Sequence, residues 1–235
     1  MNFGRKIEVF YDFFVNHGGY NTVLLGLKNT SIIAVSGLII GIIIGTLIAT
    51  VRVVPKNNAV VKILDKIAGL YVSLFRGTPI VVQLLVFYYV LMPSLSLHMN
   101  SVAVAVVVFG MNSGAYISEM MRAGILSVDP GQMEGGRSVG LSYGTTMMKI
   151  IIPQAVKNIL PTLGNEFISL IKETSVVSFV GATDLYVAFN RIGSNSYEFM
   201  VPYIVMALIY IALVVIISLL IRIMERSLRK SDKSL

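Results

Sequence analysis

An all-α integral membrane protein with five transmembrane helices is the fold this sequence predicts, and two observations carry that reading. Hydrophobic residues make up 55% of the 235 and charged residues only 13%, about half the charged share of a soluble domain; mean hydropathy is +0.80. The apolar residues also run on without interruption, over lengths close to the roughly 20 residues a spanning helix needs. A closed β-barrel, the other way to cross lipid, would alternate apolar and polar residues, and these runs do not.

The first span is the charge-free stretch Thr30–Val51, with a start nearer Tyr20. The second, Ile67–Met92, holds one charge, Arg76, and the uncharged turn Pro93–Asn100 follows it. The third covers Ser101 to about Met121, with Glu119 near its end. The fourth runs from Asn158 to Val180 and is interrupted by Glu166, Lys172 and Glu173; the fifth is the charge-free Phe199–Ile221. Gly37, Gly41 and Gly45 recur every four residues in the first span, and Gly110 and Gly114 in the third. That spacing lets helix backbones approach closely and predicts a packing seam.

Net charge is +7, and its distribution gives an orientation. Arg52, Lys56, Lys62 and Lys66 lie between spans one and two; Arg122, Arg137, Lys149 and Lys157 between three and four; Arg222, Arg226, Arg229, Lys230 and Lys233 after five. Basic loops stay in the cytoplasm, so the N-terminus is expected outside and the C-terminus cytoplasmic. Ahead of the spans, Phe3, Ile7, Phe10 and Phe14 recur at helical spacing, which predicts an interfacial amphipathic helix over residues 1–19. Glu8, Asp12 and His17 interrupt any signal-peptide core there. One transmembrane domain is expected over 20–225, with a basic cytoplasmic tail over 226–235.

Several function classes drop out. No basic run is interleaved with aromatics, so nucleic acid is not an expected partner. With no cysteine, thiolate chemistry is excluded, and His17 and His98 have no partner at ligand spacing, so no metal site is expected. Neither GxxxxGK[ST] nor GxGxxG occurs, and no nucleophile–base arrangement stands out. An enzyme is therefore not predicted.

The ionisable residues inside the spans are the candidates for function, since each is costly to place in lipid. Glu166 and Glu173 are seven residues apart and fall on nearly one helical face. Arg76, beside Thr78 in "FRGTPIVVQ", can hold a carboxylate bidentately, and Asn112 and Ser113 add neutral donors and acceptors. Converging on one cavity, these groups suit a zwitterion such as an amino acid. Two uses remain open: solute binding, or internal pairing of Arg76 with Glu166 or Glu173 and interhelical hydrogen bonds from Asn112 and Ser113.

The segment 129–153 is polar and has its own helix signals. Asp129 is placed as N-cap with Pro130 at the first helical position, and Glu134 sits near the positive end of the helix dipole. Gly140 is expected to close this helix and Ser142 to open a second that leads to Pro153. Gly135 and Gly136 cost helix propensity, about 1 kcal/mol each against alanine, which predicts a close-packed neighbour on that face.

"EGGRSVGLSYGTTMMKIIIPQA" resembles the EAA loop of ABC-importer permeases: a Glu, two small residues, a Gly six positions after the Glu and a Pro nineteen after it. Glu134, Gly135, Gly136, Gly140 and Pro153 occupy those positions, with glycines where alanines are usual. With "LLGLKNTSII", "RGTPIVVQL", "DPGQMEGGRSVGLS" and "IIPQAVKNILPTLGNEFISLIKETSVVS", the chain from Tyr20 to about Lys230 is similar to the polar amino-acid permeases of the histidine/glutamine/glutamate/arginine/opine type. The resemblance implies a type I ABC-importer permease in the bacterial cytoplasmic membrane, dimeric with itself or a paralogue. It implies separate ATPase subunits, carrying ATP and Mg and docked on a coupling helix that includes Arg137, and an extracellular solute-binding protein. Two rivals fit the residues alone: an ion-coupled carrier using Glu166 and Glu173, and a membrane scaffold that moves no solute.

Overall fold

The computed structural model describes residues 2–232, with side chains through residue 227, and the described residues contain helices, turns and loops without a strand. In chain order the α-helices are α1 (Phe3–Tyr11), α2 (Gly19–Val53), α3 (Ala59–Gly77), α4 (Ile80–Val86), α5 (Met92–Ser94), α6 (Ser101–Leu126), α7 (Pro130–Ser138), α8 (Tyr143–Thr146), α9 (Ile152–Glu173), α10 (Leu185–Ser196) and α11 (Met200–Asp232). Short π-helical turns follow α1, α4 and α8, and a 3₁₀ segment, Thr174–Val180, follows α9.

Among the described residues, three helices are long and apolar enough to cross a membrane by length and composition: Gly19–Val53, Ser101–Leu126 and Met200–Ser227. The expected second span is two helices with a break between them. Ala59–Gly77 and Ile80–Ser94 meet at 106°, because Pro79 drives Thr78 into an extended conformation (φ −122°, ψ 144°) and has no N–H with which to continue the helix. The expected fourth span is α9 with its 3₁₀ extension. It is less apolar than the others because it turns one face, with Glu166 buried on it, into the bundle. The segment 185–196, between the expected fourth and fifth spans, is a helix of its own. Asp184 caps it, accepting from the Val187 N–H at 2.9 Å.

The packing centre is the pair α2–α6. An added Cβ at Gly37 would lie 3.1 Å from the Phe109 Cβ, one at Gly41 2.8 Å from Ser113 Oγ, and one at Gly45 2.7 Å from Ile117 Cγ2. In return, Ile40 and Ile44 of α2 sit over Gly110 and Gly114 of α6, at 2.5 and 2.8 Å from where a Cβ would be. The glycine spacing therefore is a packing seam. Arg52, near the end of α2, pairs with Glu119 of α6, whose second oxygen takes the Arg122 guanidinium at 2.8 Å.

The other elements assemble on this pair. Ile33 and Ala34 of α2 and Val108 and Phe109 of α6 form one core with Leu84 of α4 and Leu170 of α9. α10 lies on the first turns of α2, where Gly26 admits the Asp184 carbonyl: a Cβ there would be 2.5 Å from that oxygen. The Asn29 amide donates to the Thr183 carbonyl at 2.7 Å beside it. Phe10, Phe13 and Phe14 of the N-terminal segment pack against Val23, Phe189 and Ile192, and Lys6 pairs with the buried Glu198 at 3.2 Å. The stripe expected from Phe3 to Phe14 thus divides, Phe10 and Phe14 turning to the bundle and Phe3 and Ile7 staying exposed. At the other end α11 carries the backbone of the basic tail to Asp232; Lys233 lies outside the described residues.

The seam makes a test. Gly41→Leu should lower stability by about 1–3 kcal/mol, the cost of overpacking, seen as a lower thermal midpoint in detergent. Gly69→Ala is the control, since nothing lies within 4 Å of its Cβ position, and it should leave the midpoint unchanged or raise it.

Candidate functional site

Asn112 and Ser113 are neighbours on α6, and both are buried. Consecutive residues on a helix point about 100° apart, so the two serve different partners. Ser113 faces α9 and donates its hydroxyl to Glu166 Oε1 at 2.8 Å. Glu166 is 9% exposed and has no ion pair among the described residues.

Asn112 faces the break between α3 and α4. Its amide donates to Gln83 Oε1 at 2.9 Å and to the Phe75 carbonyl at 3.3 Å. Gln83 Nε2 donates to the Phe75 carbonyl at 2.8 Å, the Thr78 carbonyl at 3.0 Å and Thr78 Oγ1 at 2.9 Å. The Thr78 hydroxyl in turn donates to the Leu74 carbonyl at 2.8 Å. Arg76, on the last turn of α3, is exposed and lies over the Tyr116 ring, 5.3 Å from its centroid, a cation–π distance.

The single chain therefore differs from the expected cavity in two respects. Arg76 makes no ion pair with Glu166 or Glu173, because it sits at the bend and turns to Tyr116 on α6. Asn112 and Thr78 do not join the carboxylates, because their hydrogen bonds are taken up at the break. Glu166 and Glu173 share a helical face, but α9 ends at Glu173, which is exposed where Glu166 is buried. Sequence reasoning did not single out Gln83 or Tyr116. The signal for Gln83 was available: it is the one amide side chain in the run "IVVQLLVFYYVLM".

The segment after α6 has the geometry its residues predict. Asp129 Oδ1 accepts from the Gly131 N–H at 2.7 Å, Pro130 opens α7, and Ser142 Oγ accepts from the Thr145 N–H at 3.1 Å to open α8. Gly140 closes α7 with φ +88°, while the Leu141 N–H reaches back to the Gly136 carbonyl at 3.1 Å, as in a Schellman cap. Glu134 and Arg137 are exposed on α7, and Pro153 stands in the first turn of α9. The two glycines differ. A Cβ on Gly136 would be 2.5 Å from Thr146 Cγ2, whereas nothing lies within 4 Å of one on Gly135. The close neighbour of Gly136 is the chain's own α8, and Gly135 faces open space.

With this geometry in hand, comparison with known proteins is decisive. Residues 37–230 match the family of binding-protein-dependent transport system inner membrane components. The chain belongs to this family. It is 37% identical over 210 residues to the arginine transport system permease protein ArtQ of Bacillus subtilis (strain 168), covering 89% of this chain and 94% of that one. It is 40% identical over 195 residues to the putative glutamine transport system permease protein GlnP of Rickettsia bellii (strain RML369-C), covering 83% and 87%.

A chain in the crystal structure of an amino acid ABC transporter with histidines superposes with TM-score 0.83 at 36% identity, over 92% of this chain and 98% of that one. An inward facing MetNI methionine ABC transporter shares the fold, with TM-score 0.75 at 18% identity over 88% and 96%. The protein is thus a permease subunit of an amino acid ABC transporter, a multi-pass protein of the bacterial plasma membrane and a transport component rather than an enzyme. Permeases of this family work with an ATPase and a solute-binding protein. Among the described residues no group of His, Cys, Asp and Glu could hold a metal ion.

The glycine pair gives a contrast that can be measured. Gly135→Ala should strengthen α7 by about 1 kcal/mol and slow amide hydrogen exchange over 130–138. Gly136→Ala must displace Thr146 and should speed exchange over the same residues.

Proposed function

We propose that this permease, paired with an identical or paralogous subunit, forms the pathway by which ATP hydrolysis on separate subunits imports a polar amino acid, with a cationic one preferred. The observation that carries this reading is Glu166: a carboxylate buried within a spanning bundle, held by Ser113 and without an ion pair among the described residues. A buried charge is rarely left without a partner, and here the solute supplies it. Either an α-ammonium or a cationic side chain fits. Glu173, exposed at the end of the same face, offers a second carboxylate, and Arg76 is free to take the solute carboxylate. Thr78 and Asn112 contribute by shaping the bend that presents Arg76. The relatives named for arginine and glutamine transport agree with a polar amino acid as cargo.

The basic segments set the orientation, with five crossings, the N-terminus outside and α7 in the cytoplasm. Glu134, Arg137 and the open Gly135 face on α7, with the exposed Val139 and Met148 beside them, make the surface on which an ATPase docks. Gly136, Gly140 and Pro153 set the shape of that surface from within. Closure of the ATPases moves α7, and the permease passes between outward- and inward-open states by rigid-body movement.

The complex reconstituted in liposomes with its ATPase and binding protein should take up amino acid only when ATP is supplied. Uptake driven by an ion gradient without ATP would replace this reading with that of an ion-coupled carrier, and no uptake at all with that of a scaffold. Within the complex, Glu134→Lys should leave the ATPase turning over without transport. Glu166→Gln should lower uptake by about ten- to a hundredfold, since a hydrogen bond to a charged group contributes roughly 1.5–3 kcal/mol, while leaving assembly intact.

A further inference from the structure

The bend between α3 and α4 leaves backbone groups that the rest of the chain must satisfy. In an uninterrupted helix the Thr78 N–H would bond to the Leu74 carbonyl and position 79 would donate to the Phe75 carbonyl. Thr78 is extended and Pro79 has no N–H, so both carbonyls lose their helical partners. Each is met by a side chain. The Thr78 hydroxyl takes the Leu74 carbonyl. The Phe75 carbonyl receives Gln83 Nε2 at 2.8 Å and Asn112 Nδ2 at 3.3 Å.

Gln83 does most of this. It is 8% exposed, lies on the α4 side of the break and reaches back across it to cap the end of α3. Its Nε2 meets three oxygens of Phe75 and Thr78, and its Oε1 is fixed by Asn112. Asn112 in turn belongs to α6, which is seamed to α2. The corner is therefore closed at three points: α3 by its carbonyls, α4 by Gln83 and α6 by Asn112. Arg76 sits within it, one residue from Phe75 and two from Thr78.

We infer that Gln83 is a positioning residue for transport: it locks α3 and α4 into one rigid corner and so fixes where Arg76 stands over Tyr116. It touches no solute itself. This rests on the permease reading above, but the geometry of the corner can be measured whatever the solute. Because the chain has no cysteine, Leu70→Cys and Val86→Cys, at exposed positions on α3 and α4, can carry spin labels. Dilution with unlabelled subunits isolates the distance within one chain.

In the assembled complex the inter-label distance should be single and narrow, and the same without nucleotide and with ATP trapped. Gln83→Leu should broaden it, and without labels should lower uptake about tenfold or more, the order of loss that small misplacements of a binding group produce. Gln83→Glu keeps the shape but offers an acceptor to three acceptor oxygens, and should behave in the same way. A distribution left narrow by both substitutions, or uptake within twofold of the unsubstituted complex, would overturn the inference. So would loss of assembly in both variants, which would make Gln83 a folding residue instead.

Discussion

The contact between α2 and α6 bears on everything else in this permease. Within lipid, helices gain little from the hydrophobic effect by meeting one another, so association depends on close packing and on polar groups satisfied between helices. Gly37, Gly41 and Gly45 accept the side chains of α6, and Gly110 and Gly114 accept those of α2. Each helix fills the other's gaps along the whole length of the seam. Dispersion contacts, weak one by one, sum over such a surface. The pairing of Arg52 with Glu119 fixes the register at one end.

Two adjacent residues join that frame to the proposed site. Ser113 holds α9 through Glu166, and Asn112 holds the α3–α4 corner through Gln83. Because they point in different directions from one helix, the carboxylate and the arginine are supported from a common origin without pairing with each other. That separation keeps the two charges apart. α10 is anchored to the same frame through Gly26 and Asn29, so the elements around the site share one reference.

Much of this was legible in the sequence. The apolar runs place α2, α6 and α11, and the four-residue glycine spacing marks the seam, because both depend only on local periodicity. Asp129, Gly140 and Ser142 act at the helix ends where their side chains or backbone freedom predict them to act. What could not be read was relative placement. "RGTP" announces a proline, but the side chains that close the bend, Gln83 and Asn112, are 29 residues apart. Arg76 was a natural partner for a carboxylate by charge alone, and only the corner's geometry sends it to Tyr116. The paired glycines look equivalent in the sequence, yet Thr146 covers one and leaves the other open.

The glycine seam implies that α2 and α6 move as one body when the permease changes state. The most direct measurement is the distance between spin labels at Leu47→Cys and Leu126→Cys, exposed positions on the two helices, in the assembled complex through the ATP cycle. A rigid frame predicts one distance, unchanged between the nucleotide-free and ATP-trapped states. A shift of several ångströms between those states would contradict it, because interlocked glycine contacts cannot slide that far without opening.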